Sequence, residues 1–290
     1  MCILRLSNVP SSSFSFSLHH FVSCLLFHAL IYSILLLLSL FQGTLGVIIS
    51  VTVKLHPIPQ HIIAAVCVFD TISDAANTVA MLKLHDISAL CRVELLDKCS
   101  VSCFNASLIS NSNTNDSSSS VKKMEEKPTL FLEFQASTQH ALDEQISITQ
   151  EICCDDFNGT NFQFTSNEDE RKALWSARHN LYYASIAYRK GCTTAVLTDS
   201  CVPISKFANV IEDTINDINS FGDVIGPCFG HAGDGNFHCI LPIRDNGEES
   251  DEYMSKVFTI HENIIQRTLD AGGTCTGEHG KFFSSSFIQC

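Results

Sequence analysis

The chain has 290 residues, of which 45% are hydrophobic and 17% charged, so it can bury one large core or two modest ones. Its 18 basic and 31 acidic residues give a formal net charge of -13, which excludes a general nucleic-acid binder because the phosphate backbone is also negative. The 14 cysteines form no CxxC pair, which excludes zinc fingers. Most of these cysteines lie in apolar runs, as expected of reduced thiols.

The N-terminal part of the chain is apolar. Residues 1–20 are rich in serine, and Phe21–Phe41 contains no Asp, Glu, Lys or Arg. As a helix this run would reach about 30 Å, the thickness of a bilayer core, so it is a candidate membrane span. A signal-peptide core and a translated stretch outside the folded protein are the alternatives, and we favour the last.

The first predicted elements of a folded domain follow this run. Val47–Leu55 is rich in β-branched residues and predicts a strand, which ends at the prolines of residues 56–59 and marks a domain boundary. The patterns beyond the boundary predict a strand at Ile62–Phe69, a helix at Thr71–His85 and a strand at Ala89–Leu95. This order is a β-α-β unit.

The remainder of the chain alternates between the two kinds of element. The segment Ser107–Glu126 is rich in Ser and Asn, and we expect it to be a flexible surface insertion. Further strands are predicted at Thr129–Phe134, Phe162–Thr165, Thr194–Val202, Val224–Gly230 and Phe237–Pro242. Further helices are predicted at Gln139–Cys154, Glu168–Tyr188 (one helix or a pair), Ser205–Ser220 and Ser250–Asp270.

The last two strands indicate the fold class. They are separated by a few residues that include Gly233 and Gly235, so they should form a hairpin. A hairpin within this series favours an antiparallel sheet with helices on one face over a doubly wound parallel sheet. The sequence therefore predicts an α+β fold.

Two glycine-rich segments carry candidate metal ligands. In the segment of residues 230–238, His231 and His238 flank a Gly-Asp-Gly-Asn turn, and the segment of residues 276–280 contributes Glu278. Two imidazoles and a carboxylate suit zinc or manganese. The alternative is that the histidines are ordinary core or surface residues, but the surrounding glycines permit close approach of a ligand.

Two further residues are candidates for binding and catalysis. His279 follows the proposed ligand Glu278, and an imidazole there could accept a proton from a metal-bound hydroxyl. Its alternative role is that of a fourth ligand or a neighbour of the ligands. Arg178 offers a bidentate fork to a carboxylate, although a surface salt bridge is the better interpretation of one arginine without context.

Six segments in order resemble the flavin-linked oxidase family that contains D-lactate, D-2-hydroxyglutarate and glycolate dehydrogenases. The variants at residues 201–203 and 274–276 are closest to the D-lactate members. The segments are residues 43–57, 92–97, 174–180, 198–205, 230–238 and 272–280.

The resemblance implies a reaction and a set of site residues. FAD would take a hydride from C2 of a D-2-hydroxy acid such as D-lactate, a divalent metal would hold the hydroxyl, and cytochrome c would receive the electrons. The location would be mitochondrial. By motif position, the residues are His231, His238 and Glu278 as metal ligands, His279 as the base, Arg178 as the substrate clamp, and Gly43, Gly46, Val47 and Ile48 at the flavin.

The resemblance also predicts a division of the chain. Residues 43–59 would be the end of an FAD-binding domain and residues 60–280 the C-terminal substrate and metal domain, flanked by unrelated segments at 1–42 and 281–290. We therefore expect this chain to bind FAD poorly. Two alternatives stay open: a dehydrogenase of another D-2-hydroxy acid, and an inactive metal-binding or membrane-anchored fragment with a span at residues 21–41.

Overall fold

The computed structural model describes residues 58–111, 123–245 and 248–275. The strands are β1 (His61–Val68), β2 (Leu90–Leu96), β3 (Thr129–Ala136), β4 (Thr160–Thr165), β5 (Thr194–Leu197), β6 (Ser200–Cys201), β7 (Cys228–Gly230) and β8 (Asn236–Ile243). The helices are α1 (Ile72–Leu84), α2 (Lys98–Asn111), α3 (Gln139–Glu151), α4 (Glu168–His179), α5 (Leu181–Tyr188), α6 (Ile204–Ser220) and α7 (Asp251–Asp270). A π-helical turn, Ile152–Asp156, extends α3.

The strands form one sheet in the order β4-β1-β3-β2-β7-β8-β5, and β6 pairs with β8. Every strand pairing is antiparallel. The predicted β-α-β unit places β1 and β2 on either side of β3, so the two strands run parallel without touching. The predicted hairpin is β7 with β8. The α+β class and the antiparallel sheet are confirmed.

Alternate residues along each strand enter two different apolar clusters. On β2, Val93 and Leu95 join the larger cluster with α1, α3, α6 and α7, whereas Leu96 joins a smaller one with α2 and α5. On β3, Leu132 lies in the larger cluster and Phe131 in the smaller. Because successive side chains of a strand point to opposite faces, the two clusters cover opposite faces of the sheet. The expected helical layer is therefore joined by a second, smaller one on the other face.

Two local predictions differ from the structure. Helix α2 occupies part of the expected insertion at Ser107–Glu126, and Asn105 of α2 exchanges two 2.9 Å hydrogen bonds with the backbone of Met124. The predicted strand Thr194–Val202 is divided into β5 and β6, and the side chains of Thr198 and Asp199 between them accept hydrogen bonds from β8. The segment Glu168–Tyr188, predicted as one helix or a pair, is the pair α4 and α5.

The described part of the chain lies within one compact unit, Pro59–Cys275. Within it, no helix combines the length and apolar character that crossing a bilayer requires. The candidate span at residues 21–41 lies outside the described residues. The proposed division at residues 42, 59 and 280 stays a prediction.

Candidate functional site

The β7–β8 hairpin positions two imidazoles at one end of the sheet. His231 directly follows β7, and His238 lies on β8 opposite Phe229. Between them a 3-10 turn ends at Gly235, whose φ is 73° and whose added Cβ would lie 2.1 Å from the carbonyl oxygen of Val202. Only glycine fits there, because both the left-handed backbone and the contact exclude a side chain.

The two imidazoles lie edge to face, and each has a carboxylate beside it. The ring centroids of His231 and His238 are 6.0 Å apart and the rings are nearly perpendicular. Nδ1 of His231 lies 2.5 Å from Oε1 of Glu94, and Nδ1 of His238 lies 3.4 Å from Oδ1 of Asp199. An ionised carboxylate accepts hydrogen bonds, so the Nδ1 of His231 donates to Glu94 and its Nε2 lies on the opposite side of the ring.

Glu94 joins His231 to Arg178. Nε and Nη2 of Arg178 donate to Oε2 of Glu94 over 2.9 and 2.7 Å, while the other oxygen of Glu94 accepts from His231. The side chains of Glu94 and Arg178 are 3% and 13% exposed, so this is a buried ion pair and not a surface salt bridge. One carboxylate thus holds both an imidazole and a guanidinium.

The guanidinium of Arg178 is fixed in two directions. Glu94 binds one edge of it, and its Cζ atom lies 4.7 Å from the centre of the Phe229 ring. Arg178 lies in the last turn of α4, a helix that starts where Oδ1 of Asn167 accepts from the backbone of Asp169 and Glu170. Because an arginine has five N–H donors and two point at Glu94, the remaining donors can bind another anion.

The charge state of Glu94 is set by its two partners. Burial opposes ionisation of this carboxyl, but the hydrogen bond from His231 and the positive charge of Arg178 outweigh burial and hold the pKa of Glu94 below its ordinary value. The carboxylate is therefore negative at neutral pH and compensates the guanidinium.

A cleft of about 220 Å³ opens beside His231. Its lining includes Lys83 of α1, Arg92 of β2 and Asp234 of the hairpin turn. Arg92 also stacks over the ring of Trp175, with its Cζ atom 4.3 Å from the ring centre. A small acid could reach His231 from this side.

The structure brings together three of the predicted site residues, namely His231, His238 and Arg178. Within the described ranges no three His, Cys, Asp or Glu residues are grouped as metal ligands. The other predicted residues lie outside those ranges: Glu278, His279, Gly43, Gly46, Val47 and Ile48.

Sequence reasoning missed the role of Glu94, although it lies in one of the motifs. The available signal was a carboxylate inside the otherwise apolar run Val93-Glu94-Leu95-Leu96. An acidic residue in such a strand is buried and requires a partner.

Comparison with known proteins gives consistent matches. The family of FAD linked oxidases, C-terminal domain, matches residues 58–287. A protein of Danio rerio named probable D-lactate dehydrogenase, mitochondrial, is 37% identical over 82% of this chain and 44% of its own length. A protein of Arabidopsis thaliana named D-lactate dehydrogenase [cytochrome], mitochondrial, is 34% identical over 82% of this chain and 39% of its own.

A solved structure shares the fold. Alkyldihydroxyacetonephosphate synthase superposes with a TM-score of 0.52 at 14% identity, over 80% of this chain and 43% of that one. The chain thus spans less than half the length of these relatives.

Proposed function

Because the chain belongs to the family of FAD-linked oxidases, through their C-terminal domain, we propose that it supplies the substrate-binding half of an FAD-dependent D-lactate dehydrogenase. Cytochrome c is the proposed electron acceptor and the mitochondrion the proposed location, in keeping with the names of the relatives from Arabidopsis thaliana and Danio rerio. The flavin-facing residues lie outside the described ranges, so the chemistry below concerns the other side of the substrate.

One observation carries the proposal. A buried guanidinium, with donors that Glu94 does not use, lies beside the imidazole of His231, and Glu94 holds both groups. A 2-hydroxy acid has a carboxylate and a hydroxyl on adjacent carbons. The guanidinium suits the carboxylate, and the imidazole side of the cluster suits the hydroxyl.

The imidazoles also fit the proposed divalent metal. Histidine ligands of metals usually donate their second ring nitrogen to a carboxylate, and His231 and His238 both have Nδ1 beside one. Glu278, the third proposed ligand, follows Thr274 by four residues, which is at most about 14 Å of extended chain. Thr274 is bridged by two 2.8 Å backbone hydrogen bonds to Cys201, and the latter pairs with β8.

The division of labour follows from these positions. Bound FAD would accept hydride from C2, and a bound zinc or manganese ion would make the substrate hydroxyl more acidic. Arg178 would bind the carboxylate through the donors that Glu94 leaves unused. His231 and His238 would hold the ion by Nε2, and His279 would accept the hydroxyl proton.

A second candidate is the oxidation of a longer D-2-hydroxy acid. The cleft beside His231 contains two cations, Lys83 and Arg92, which could bind a second carboxylate such as that of 2-hydroxyglutarate. Arg92 is already stacked on Trp175 and lies 4.0 Å from Glu133, so we favour the smaller substrate.

Calorimetric titration tests the proposal. D-lactate is titrated into the purified chain with and without Mn²⁺, and into the variant Arg178→Gln. We expect binding that requires Mn²⁺ and is weakened about 100-fold in the variant, since a charged partner of the carboxylate is lost. Arg267→Gln is the matched control, because Arg267 forms a partly buried ion pair with Asp217 away from the site.

The outcomes separate the candidates. A D-lactate affinity that is the same with and without Mn²⁺ and unchanged in Arg178→Gln would contradict the proposal. Tighter binding of 2-hydroxyglutarate or glycolate than of D-lactate would favour another substrate. Mn²⁺ binding without affinity for any of these acids would favour an inactive metal-binding fragment.

A further inference from the structure

Among the residues that the structure describes, Glu94 is the one buried carboxylate that contacts both an arginine and an imidazole of the candidate site. Its oxygen Oε2 accepts two hydrogen bonds from Arg178, and its oxygen Oε1 accepts one from His231. Glu94 is buried, and its neighbours along β2, Val93 and Leu95, are apolar core residues. An isolated buried carboxylate would be unfavourable, so its value to the protein lies in its partners.

We propose that Glu94 is a positioning residue that sets the substrate-carboxylate clamp and the metal-binding imidazole at a fixed separation. This inference rests on the proposed function and assigns a role to a residue that the reaction itself does not require. Glu94 touches neither the substrate nor the metal; it acts through Arg178 and His231.

The geometry gives the carboxylate control of both orientations. Two N–H groups of Arg178 converge on one oxygen of Glu94 and orient that edge of the guanidinium. The Phe229 ring, against which the guanidinium packs, limits its tilt. The hydrogen bond to Nδ1 fixes the tautomer and the rotation of the His231 ring, and so aims Nε2. The two oxygens belong to one rigid group, so neither partner can turn without disturbing the other.

That coupling matches the chemistry of a 2-hydroxy acid. The substrate offers its carboxylate and hydroxyl at a separation fixed by one carbon–carbon bond. A clamp and an imidazole that moved independently would match that separation only part of the time. Because Glu94 holds both the guanidinium and the imidazole, their separation already fits that of the carboxylate and the hydroxyl before the substrate binds.

Three variants test the proposal in the full chain. Glu94→Gln keeps the size but removes the charge, and Glu94→Asp keeps the charge but is too short to contact both partners. Glu133→Gln is the matched control, because Glu133 is also buried on the same face of the sheet and contacts Gln135 and Arg92 instead. Mn²⁺ affinity is measured by electron paramagnetic resonance and D-lactate affinity by calorimetry at saturating Mn²⁺.

The expected signature is a joint loss of affinity. Glu94→Gln should weaken Mn²⁺ binding about 10- to 100-fold and D-lactate binding at least about 10-fold, while Glu133→Gln changes neither by more than about 2-fold. Arg178→Gln should weaken D-lactate without weakening Mn²⁺. A purely structural role would lower the number of sites per chain, whereas loss of positioning lowers the affinity at unchanged stoichiometry.

The remaining outcomes overturn the inference. Suppose that the unaltered chain binds both Mn²⁺ and D-lactate, and that Glu94→Gln either binds both as well as Glu133→Gln does or loses affinity for only one of them. Glu94 then does not couple the two groups, whereas the proposed function stands. If the unaltered chain binds neither probe, the proposed function fails and this role with it. Should Glu94→Gln not fold, Glu94→Asp gives the same comparison, with both affinities weakened about 10-fold if the inference holds.

Discussion

The two faces of the sheet differ in what they bury. The face toward α1, α3, α6 and α7 is covered by a continuous apolar cluster that includes Phe134, Phe207 and Phe237. The face toward α2 and α5 has fewer apolar residues and buries the charged residues Glu94 and Glu133 together with His238. Because strand side chains alternate, the same strands supply both faces.

This difference indicates that one face supplies most of the stability, whereas the other carries the candidate site. Burial of apolar area is the dominant favourable contribution to folding, whereas a buried ion pair roughly offsets its own desolvation. A polar face can therefore be tolerated when the opposite face is well packed. Changes on the first face should lower stability alone, and changes on the second should alter binding.

The largest effect is expected on the apolar face. Phe207 is fully buried and meets Phe237 edge to face, with ring centroids 6.1 Å apart. Phe207→Ala should lower the free energy of unfolding by about 3–5 kcal/mol, measured by urea denaturation, because it leaves a cavity. Phe258→Ala on exposed helix surface is the control and should cost less than about 1 kcal/mol. Loss of Mn²⁺ affinity in folded Phe207→Ala would contradict the idea that the apolar face affects stability alone.

A second effect concerns Asp97, a buried carboxyl at the end of β2. Its Oδ1 accepts hydrogen bonds from the backbone of Ser100 and Cys228, yet burial raises its pKa to about 6. The folded chain then holds the proton more tightly than the unfolded chain, whose ordinary value is 3.8. Stability should therefore fall as the pH rises from about 4 to about 6, by up to about 3 kcal/mol.

The variant Asp97→Asn isolates this effect. It cannot ionise, so urea denaturation across that range of pH should show a shallower fall in stability than in the unaltered chain. Asp223→Asn, at an exposed position beside Lys256, is the control and should leave the fall in place. A stability that instead rises between about pH 4 and about pH 6, and does so only when Asp97 is present, would show that the hydrogen bonds outweigh burial.

The smallest effect lies at the rim of the apolar face. Oγ1 of Thr71 accepts from the backbone N–H of Asp74 over 3.0 Å and so caps α1. Thr71→Ala should lower the free energy of unfolding by about 1 kcal/mol and leave Mn²⁺ and D-lactate affinities unchanged. Ser73→Ala, in the first turn of the same helix, should change stability by less than about 0.5 kcal/mol. Equal losses in both variants would mean that the cap is not the cause.

Sequence patterns predicted most of the fold because alternation and helical spacing are local signals. They located β1, α1, β3, α6 and α7 to within a few residues of their ends. They missed α2, a helix rich in Ser, Asn and Cys, because its two ends depend on contacts that are distant in the chain, of Asp97 with Cys228 and of Asn105 with Met124. Such contacts leave no periodic trace in the sequence.

The site was predictable in part for a related reason. The hairpin glycines identified the segment of His231 and His238, since the backbone of a tight turn favours glycine and the turn lies within that segment. The pairing of Arg178 with Glu94 joins residues 84 apart in the chain, and no pattern within either segment reports it. The remaining site residues, among them Glu278 and His279, stay predictions from the resemblance.

The contact between Gly235 and Val202 has a consequence for motion. The backbone N–H of Val202 donates to the carbonyl of Gly235 over 2.9 Å, and α6 begins two residues later at Ile204. Local opening of the hairpin must therefore displace the start of a helix that is anchored in the apolar core. The spacing of the two imidazoles is consequently tied to the packing of α6 as well as to the turn itself.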